Sequence, residues 1–171
     1  MTDTEIMICN ALEKMGIEYK RYTHDIKNTI EEKEKMDKEL GITAKHCKNI
    51  FLTDRKKINF YFLVMPFEKG FYTSEVSKEL GSSRLSFASE DIMEEKLHCK
   101  SGSLSSLLLL YDEECDIGLA VDADLLKYEE LCFHPGINTV TLTIKTDDYL
   151  NKFLPKIKHR PTFVTVSDKH A

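Results

Sequence analysis

A β-hairpin is encoded by residues 48–65, which read KNIFLTDRKKINFYFLVM. Residues 50–52 are apolar and form the first arm, and the charged residues 54–57 form the turn. The second arm, residues 58–65, is rich in aromatic and β-branched side chains, which fit a pleated and buried surface. We therefore expect a hairpin whose second strand is buried in the protein.

Helices and strands are predicted on both sides of this hairpin. Apolar residues at helical steps indicate helices, and alternating β-branched residues indicate strands. Capping-box spacing at Thr2 and Glu5, and again at Thr29 and Glu32, marks the start of the first two helices. The predicted helices span residues 3–15, 30–40, 74–80, 90–97 and 147–154, and the predicted strands span residues 17–23, 84–87, 117–121 and 139–146, the last of them half-buried. This order indicates a single mixed α/β domain over residues 1–166.

The composition fits one globular domain. The chain has 171 residues, of which 42% are hydrophobic and 31% charged, enough for a sizeable core. The longest strongly apolar run, residues 104–110, is too short and too rich in serine to span a bilayer. The first residues contain no signal-peptide core, so we expect a cytoplasmic protein without a membrane partner. We expect residues 167–171 to be a disordered tail.

Cysteine and histidine spacing predicts no metal site. The five cysteines are scattered and include no Cys-x-x-Cys pair, which argues against a disulfide framework and a structural zinc site. No two of the six histidines have the helical spacing of metal ligands.

The net charge of −5 disfavours broad, non-specific binding of nucleic acid, which needs a basic surface. One local exception consists of Lys45, Lys48 and residues 55–57, among which Asp54 is the sole acid. We interpret these basic residues as an edge that faces phosphate. The mixed charges at residues 31–35 are typical of a solvated helix face and suggest no chemistry.

A glycine–serine loop, residues 101–106, is the first candidate for a site. Gly102 permits backbone angles that a side chain would forbid. Such a loop can turn its N–H groups towards a carbonyl or a negatively charged oxygen. The alternative is a simple turn before the buried segment that follows.

His134 lies in a second candidate loop, Phe133-His134-Pro135-Gly136-Ile137-Asn138. A histidine in such a loop can hydrogen-bond a substrate or transfer a proton. It can equally tie the loop to backbone carbonyl groups, and the residue type alone leaves both readings open.

Together these segments resemble the YbaK/prolyl-tRNA-synthetase-associated editing domains. The resemblance is carried, in chain order, by Lys48-Asn49-Ile50-Phe51-Leu52, residues 85–89, Gly102-Ser103-Leu104-Ser105, Ala120-Val121-Asp122-Ala123-Asp124-Leu125 and Phe133-His134-Pro135-Gly136-Ile137-Asn138-Thr139. It covers nearly the whole chain. Within this family the chain most resembles the free-standing prolyl-tRNA editing proteins, which deacylate alanine mischarged onto tRNA(Pro), whereas other relatives remove cysteine or other small residues. The resemblance implies a central, mostly antiparallel, barrel-like sheet flanked by helices.

The resemblance also implies a site without a metal or an organic cofactor. Gly102 and Ser103 would hold the aminoacyl carbonyl through backbone N–H groups, and Lys48 would anchor the terminal adenosine phosphate or the reacting end. The substrate-binding residues would be Asn49, Ile50, Leu104, Ser105, His134 and Asn138. In this family the 2′-hydroxyl of the tRNA helps to position water, so a complete protein triad is not required. The implied partner is the acceptor end of mischarged tRNA(Pro), with prolyl-tRNA synthetase as a further candidate; the sequence leaves the oligomeric state open.

One position departs from the family pattern. The family loop usually reads Gly-x-x-x-Pro, and here its last position is Ser106. Without the proline we expect a more flexible loop. The expected loss of stability is about 0.4–1 kcal/mol, because a proline would have restricted the unfolded chain.

Two other functions remain open from the sequence. One is a non-catalytic module that binds tRNA or a synthetase. The other is a small-molecule hydrolase with Cys47 or Cys132 as its nucleophile, although no reactive-cysteine motif surrounds either residue.

Overall fold

Two β-sheets organise the computed structural model, which describes residues 1–167. The strands are β1 Tyr19–Thr23, β2 Cys47–Thr53, β3 Phe60–Pro66, β4 Ser86–Phe87, β5 Ile117–Asp122, β6 Glu130–Phe133, β7 Val140–Lys145 and β8 Pro161–Val164. The larger sheet has the order β4-β2-β3-β5-β8, and the smaller has the order β1-β7-β6.

The predicted hairpin forms the middle of the larger sheet. Strands β2 and β3 pair antiparallel, with Lys48 opposite Met65 and Phe51 opposite Phe62. Strand β5 pairs parallel with β3 on its other side, so both edges of β3 are hydrogen-bonded. Residues 62–65 are fully buried, which confirms the expectation of a buried second strand.

The mixed α/β class predicted from the sequence is confirmed, and most strand pairs are antiparallel. The expected barrel-like sheet is not closed within the described residues. The two sheets are linked by an isolated bridge between Lys45 and Leu131, so no continuous ladder of hydrogen bonds runs around the core.

The helices lie close to their predicted positions. The α-helices are α1 Asp3–Lys14, α2 Ile30–Leu40, α3 Thr73–Glu79, α4 Glu90–Leu97, α5 Thr146–Asp148 and α6 Leu154–Lys156; a π-helical turn, Tyr149–Phe153, joins the last two, and 3-10 helices span Ser106–Tyr111 and Ala123–Lys127. The capping box at Thr29 and Glu32 is complete. Thr2 also accepts from the Glu5 N–H, but the Glu5 carboxylate binds Arg21 instead of completing a second box. Within residues 1–167, no helix combines the length and apolarity that a membrane crossing requires.

One expectation near the C-terminus was wrong. Strand β7 was expected to be half-buried, but Thr141 and Thr143 are buried as well as its apolar residues, because β7 lies between β1 and β6. Strands β6 and β8 were not predicted, since both are too short to show a clear alternation. The last helix ends at Lys156, close to Pro155 as predicted.

The predicted disordered tail lies almost entirely outside the described residues, which end at Ser167. Ser167 itself donates hydrogen bonds from its N–H and its hydroxyl group to the Glu75 carboxylate, at 2.5 and 2.6 Å.

The core covers both faces of the larger sheet. Side chains alternate along a strand, so Phe51 on β2 joins the larger cluster, which also contains residues of α1, α4 and the smaller sheet. Ile50 and Leu52 point to the opposite face and pack in a second cluster with Val76 of α3.

Lys69, in the loop between β3 and α3, joins three parts of the chain. Its ammonium group lies 2.8 Å from the Asp122 carboxylate, 2.7 Å from Asp124 and 2.8 Å from the Val166 carbonyl oxygen. Its own carbonyl oxygen accepts a hydrogen bond from the Lys48 ammonium. Burial alone would lower the pKa of Lys69, but the hydrogen bonds to the two aspartates outweigh it and the pKa is raised.

We expect Lys69→Met to lower the free energy of unfolding by about 3–5 kcal/mol, because it leaves the fully buried Asp122 carboxylate without its cation. Urea denaturation followed by circular dichroism measures the change. Lys152→Met is the matched control, since it removes an exposed pair with Asp148 and should cost about 0–1 kcal/mol. Equal losses in the two variants would contradict a special role for Lys69.

Candidate functional site

A pocket of about 190 Å³ lies where the start of β2, helix α2 and the two candidate loops meet. It is lined by Ile26, Lys27, Asn28, Lys33, Cys47, Lys48, Asn49, Phe67, Gly102, Leu104, His134 and Asn138. Six of the nine residues implied by the resemblance are in this lining, although they are spread over some 90 positions of sequence. A larger groove, about 700 Å³, runs along β1 of the smaller sheet, and its lining contains none of these nine residues.

The lining of the pocket is positively charged. Three lysines, Lys27, Lys33 and Lys48, contribute to it, and no aspartate or glutamate of the described residues does. In a chain with a net charge of −5, this is a local reversal of sign. A cleft lined by one sign of charge attracts ligands of the opposite sign, so this pocket suits an anionic ligand.

The basic edge expected from the sequence does not form as one surface. Lys45 is paired with Glu68 at 2.7 Å. Residues 55–57 follow the far end of β2, and a strand rises about 3.3 Å per residue, so they lie roughly 20 Å from Lys48. Of the predicted basic edge, only Lys48 lines the pocket.

Lys48 and Asn49 reach the pocket from the start of strand β2. The Lys48 ammonium donates to the Lys69 carbonyl oxygen, and partial burial lowers its pKa. The side-chain oxygen Oδ1 of Asn49 is buried and has no hydrogen-bond partner within residues 1–167. An unpaired buried acceptor costs about 1–3 kcal/mol, so Asn49 is prepared to accept a hydrogen bond from a ligand.

The glycine–serine loop presents its backbone to the pocket at Gly102. Gly102 has φ +90°, a conformation that L side chains rarely adopt. The N–H of Ser103 donates to the Lys100 carbonyl oxygen at 3.1 Å and so closes a turn. The N–H groups of Gly102 and Leu104 make no hydrogen bond within the described residues, which leaves them free to contact a ligand oxygen.

Ser103 and Ser105 are outside the pocket lining, contrary to their expected roles. The Ser103 amide is used in the turn described above. Ser105 is fully buried, and its hydroxyl oxygen accepts from the Leu107 N–H at 3.2 Å, so it caps the 3-10 helix that follows.

Ser106, where the family pattern has proline, is held by a buried hydrogen bond. The Tyr149 hydroxyl donates to the Ser106 hydroxyl oxygen at 2.7 Å, and Ser106 is fully buried. The loop is thus attached to the π-helical turn by a side-chain contact in place of the restriction that a proline ring would supply.

Ile50 does not line the pocket. It lies on the face of the larger sheet opposite Phe51, where it packs in the cluster that contains Leu63 and Val76. The apolar part of the lining comes instead from Leu104, Ile26 and Phe67.

His134 both ties its loop to the backbone and lines the pocket, so the two readings left open by the sequence apply together. Its Nδ1–H donates to the Val140 carbonyl oxygen at 2.8 Å, which leaves Nε2 as an acceptor. Burial lowers the pKa of His134 to about 4 despite that hydrogen bond. His134 is therefore neutral at physiological pH.

The cysteine-nucleophile alternative is disfavoured by the thiol environments. Burial raises the pKa of Cys47, which lines the pocket, to about 12. Burial likewise raises the pKa of Cys132 well above its ordinary value. Because the thiolate is the nucleophilic form, neither residue is activated.

Sequence reasoning missed Lys33 and Phe67. Lys33 was assigned to a solvated helix face, yet it is only 8% exposed, and its ammonium lies 4.8 Å from the centre of the Phe67 ring. The spacing of Lys33 and Met36, the two buried residues of α2, could have revealed this. A lysine three positions before an apolar residue can occupy the inward face of a helix.

The comparisons with known proteins agree with this geometry. Residues 27–152, which include all but one of the lining residues, match the model of the aminoacyl-tRNA editing domain family. The chain belongs to this family, which confirms the resemblance found in the sequence and the expectation of an editing hydrolase.

Individual relatives are similar along most of their length. The chain is 30% identical over 146 residues to the prolyl-tRNA editing protein ProX of Acetoanaerobium sticklandii, covering 85% of this chain and 88% of that protein. It is 33% identical over 123 residues to prolyl-tRNA synthetase associated domain-containing protein 1 of Xenopus laevis, covering 70% and 72%. The crystal structure of a protein assigned as a trans-editing enzyme for prolyl-tRNA synthetase superposes with a TM-score of 0.70 at 14% identity, covering 98% and 99%, which shows a shared fold.

We expect Gly102→Ala to lower both stability and editing activity. A side chain at φ +90° costs on the order of 1–3 kcal/mol, and relief of that strain would move the free N–H groups of the loop. Loss of one such donor lowers kcat on the order of 10²-fold. Gly81→Ala is the matched control, because Gly81 also has positive φ, +63°, but lies outside the pocket. It should lose stability and keep its deacylation rate; a parallel loss of rate would contradict this role for Gly102.

We expect His134 to make the protein less stable in acid. Its pKa is lowered from 6.5 to about 4 in the folded state, so the unfolded state binds the proton more readily. The stability contributed by neutral His134, about 3 kcal/mol, is therefore complete above pH 6.5 and is lost as the pH falls towards 4. Urea titrations at pH 4.5, 5.5 and 7.5 should show a shallower pH dependence for His134→Gln than for the native chain. His98→Asn, which removes an exposed histidine, controls for the loss of any imidazole; an unchanged slope in His134→Gln would refute the prediction.

Proposed function

We propose that this chain hydrolyses the ester between alanine and the terminal ribose of mischarged tRNA(Pro), acting in trans on the free acceptor end. The observation that carries this proposal is the cationic pocket that unites Lys48, Asn49, Gly102, Leu104, His134 and Asn138. The names of the relatives, a prolyl-tRNA editing protein and a prolyl-tRNA synthetase associated protein, support tRNA(Pro) as the substrate.

The pocket chemistry fits ester hydrolysis through stabilisation of the oxyanion. The free N–H groups of Gly102 and Leu104 would contact the carbonyl oxygen, which gains negative charge as water attacks. The Lys48 ammonium would hold the nucleotide end and add positive potential to the same space. The contacts of the two N–H groups become stronger in the transition state than in the ground state, which is the condition for catalysis, whereas the contact of Lys48 with the nucleotide contributes to binding.

Acceptor groups in the pocket suit the hydroxyl and amino groups of the substrate. Asn49 Oδ1 has no partner within the described residues, and His134 Nε2 is a neutral acceptor. Either can accept from the α-amino group of the amino acid or from a ribose hydroxyl. We propose that the 2′-hydroxyl of the tRNA, oriented in this way, positions the attacking water.

Specificity for alanine would come from size. A synthetase pocket rejects a smaller amino acid weakly, because each missing methylene costs it only about 1–3 kcal/mol. A small hydrolytic pocket reverses this order, since alanine enters and proline is too large. Leu104, Ile26 and Phe67 are the apolar residues available to set that limit.

A non-catalytic tRNA-binding module is the second candidate. The observation that favours it is Ser106, which stands where the family loop usually has proline, close in sequence to the proposed oxyanion donors Gly102 and Leu104. Such a module would bind the acceptor end without releasing the amino acid.

The deciding experiment compares deacylation of alanyl-, prolyl- and cysteinyl-tRNA(Pro). We expect selective release of alanine, and a decrease of about 10- to 100-fold in kcat/KM for Lys48→Ala, because a hydrogen bond to a charged group contributes about 1.5–3 kcal/mol. Lys56→Ala, which removes an exposed lysine in the hairpin turn, is the control and should retain native activity.

The other outcomes separate the alternatives. Preferred release of cysteine would identify a cysteinyl-tRNA deacylase. Binding of alanyl-tRNA(Pro) without release of any of the three amino acids would favour the non-catalytic module. Activity that survives in Lys48→Ala would remove that residue from the site.

We also propose that the protein acts in the cytoplasm, where the substrate is made, and that prolyl-tRNA synthetase is a partner. The support for the synthetase is the name of the Xenopus laevis relative. Co-purification with and without tRNA(Pro) would distinguish a direct contact with the synthetase from one bridged by the nucleic acid.

A further inference from the structure

Lys33 is a buried cation of the pocket that no hydrogen bond or ion pair satisfies within residues 1–167. It is 8% exposed and projects from α2 over the Phe67 ring, 4.8 Å from its centre. Two other lysines near the pocket are paired with carboxylates: Lys69 with Asp122, and Lys45 with Glu68. Lys33 thus keeps its three N–H donors free for a ligand.

The burial of an unpaired ammonium group is costly, and the surroundings offset the cost only in part. A ring face attracts a cation, but more weakly than a carboxylate does. The acidic groups that act on Lys33 from its own helix, Asp37 and Glu32, form no ion pair with it. Asp37 is instead 2.8 Å from His46 on the neighbouring segment. A cation retained under these conditions points to an anionic ligand.

Lys33 also lies beside the unpaired acceptor Asn49. Both residues line the pocket, and both line a small cavity of about 10 Å³ behind it, together with His134. A free cation and a free amide oxygen therefore border the same space. A ligand that satisfies both must carry an anionic oxygen next to an O–H or N–H donor. The aminoacylated 3′ nucleotide of a tRNA has this combination of groups.

We propose that Lys33 is a further substrate-binding residue, whose ammonium group holds an anionic oxygen of the aminoacylated 3′ end. This inference rests on the proposed function and extends it to a residue of α2. Two groups of the substrate could provide this anionic oxygen. One is the phosphate of the terminal nucleotide, which is charged before the reaction. The other is the carbonyl oxygen of the ester, which gains charge only in the transition state. They differ in whether Lys33 acts on binding or on rate.

The test uses Lys33→Met, with Lys35→Met as the matched control. Lys35 carries the same charge on the same helix but is exposed. Met retains most of the length of the Lys33 side chain, so the fold should be preserved, and thermal unfolding checks this. Lys33→Arg keeps the charge and should restore part of the function. Single-turnover deacylation of alanyl-tRNA(Pro) gives the rate, and titration with two non-hydrolysable amide probes gives the affinity.

The two probes are 3′-alanylamino-3′-deoxyadenosine with and without a 5′-phosphate. If Lys33 holds the phosphate, Lys33→Met weakens binding of the phosphorylated probe at least tenfold and leaves the affinity for the unphosphorylated probe unchanged. If Lys33 contacts the ester oxygen, both probes bind as they do to the native chain, and the single-turnover rate falls at least tenfold. Rates and affinities within twofold of Lys35→Met would overturn the proposal.

The probe titration also separates this inference from the proposed function. If the native chain deacylates no aminoacyl-tRNA, the hydrolytic function fails, but phosphate-dependent binding that is lost in Lys33→Met would still place an anion at Lys33. If the native chain deacylates alanyl-tRNA(Pro) and Lys33→Met is fully active with normal probe binding, the inference about Lys33 alone fails.

Discussion

The ion pair of Lys69 with Asp122 is the contact on which the site depends. It is buried, and it connects the loop after β3 to the end of β5 and to the C-terminal segment at Val166. The same residue fixes Lys48 through its carbonyl oxygen. A buried charge without its partner is strongly destabilising, so this pair favours one arrangement of the three segments. The position of Lys48 at the pocket therefore depends on the buried Lys69.

The charge distribution of the pocket is compatible with a tRNA partner for an acidic protein. Three lysines line a small space that contains no acid of the described residues, and His134 is neutral because burial lowers its pKa. The lining of the pocket is positively charged, whereas the net charge of the chain is −5. Such an arrangement favours a local contact in the pocket over non-specific contact along a duplex.

Some structural features follow from short-range patterns and were predicted well. The hairpin at residues 48–65, the capping box at Thr29 and the positive φ of Gly102 all depend on neighbouring residues in the sequence. Other features depend on how the folded chain packs and were missed. Ile50 was placed in the pocket, but it packs with Val76 of α3 on the other face of the larger sheet. Ser103 was expected to donate its N–H to the substrate, but the carbonyl of Lys100 takes that hydrogen bond.

The sequence by itself determined the mixed α/β class, the family and six of the residues that line the pocket, because motif residues and local periodicity are written directly in the chain. Only the tertiary structure decided that the two sheets do not close into a barrel, that Lys33 is buried over Phe67 and that the basic residues 55–57 lie far from Lys48. The physical reason is that burial and charge pairing depend on which segments pack together. Those contacts join residues tens of positions apart, so a local pattern such as the spacing of Lys33 and Met36 can indicate a buried side chain but does not identify what it packs against.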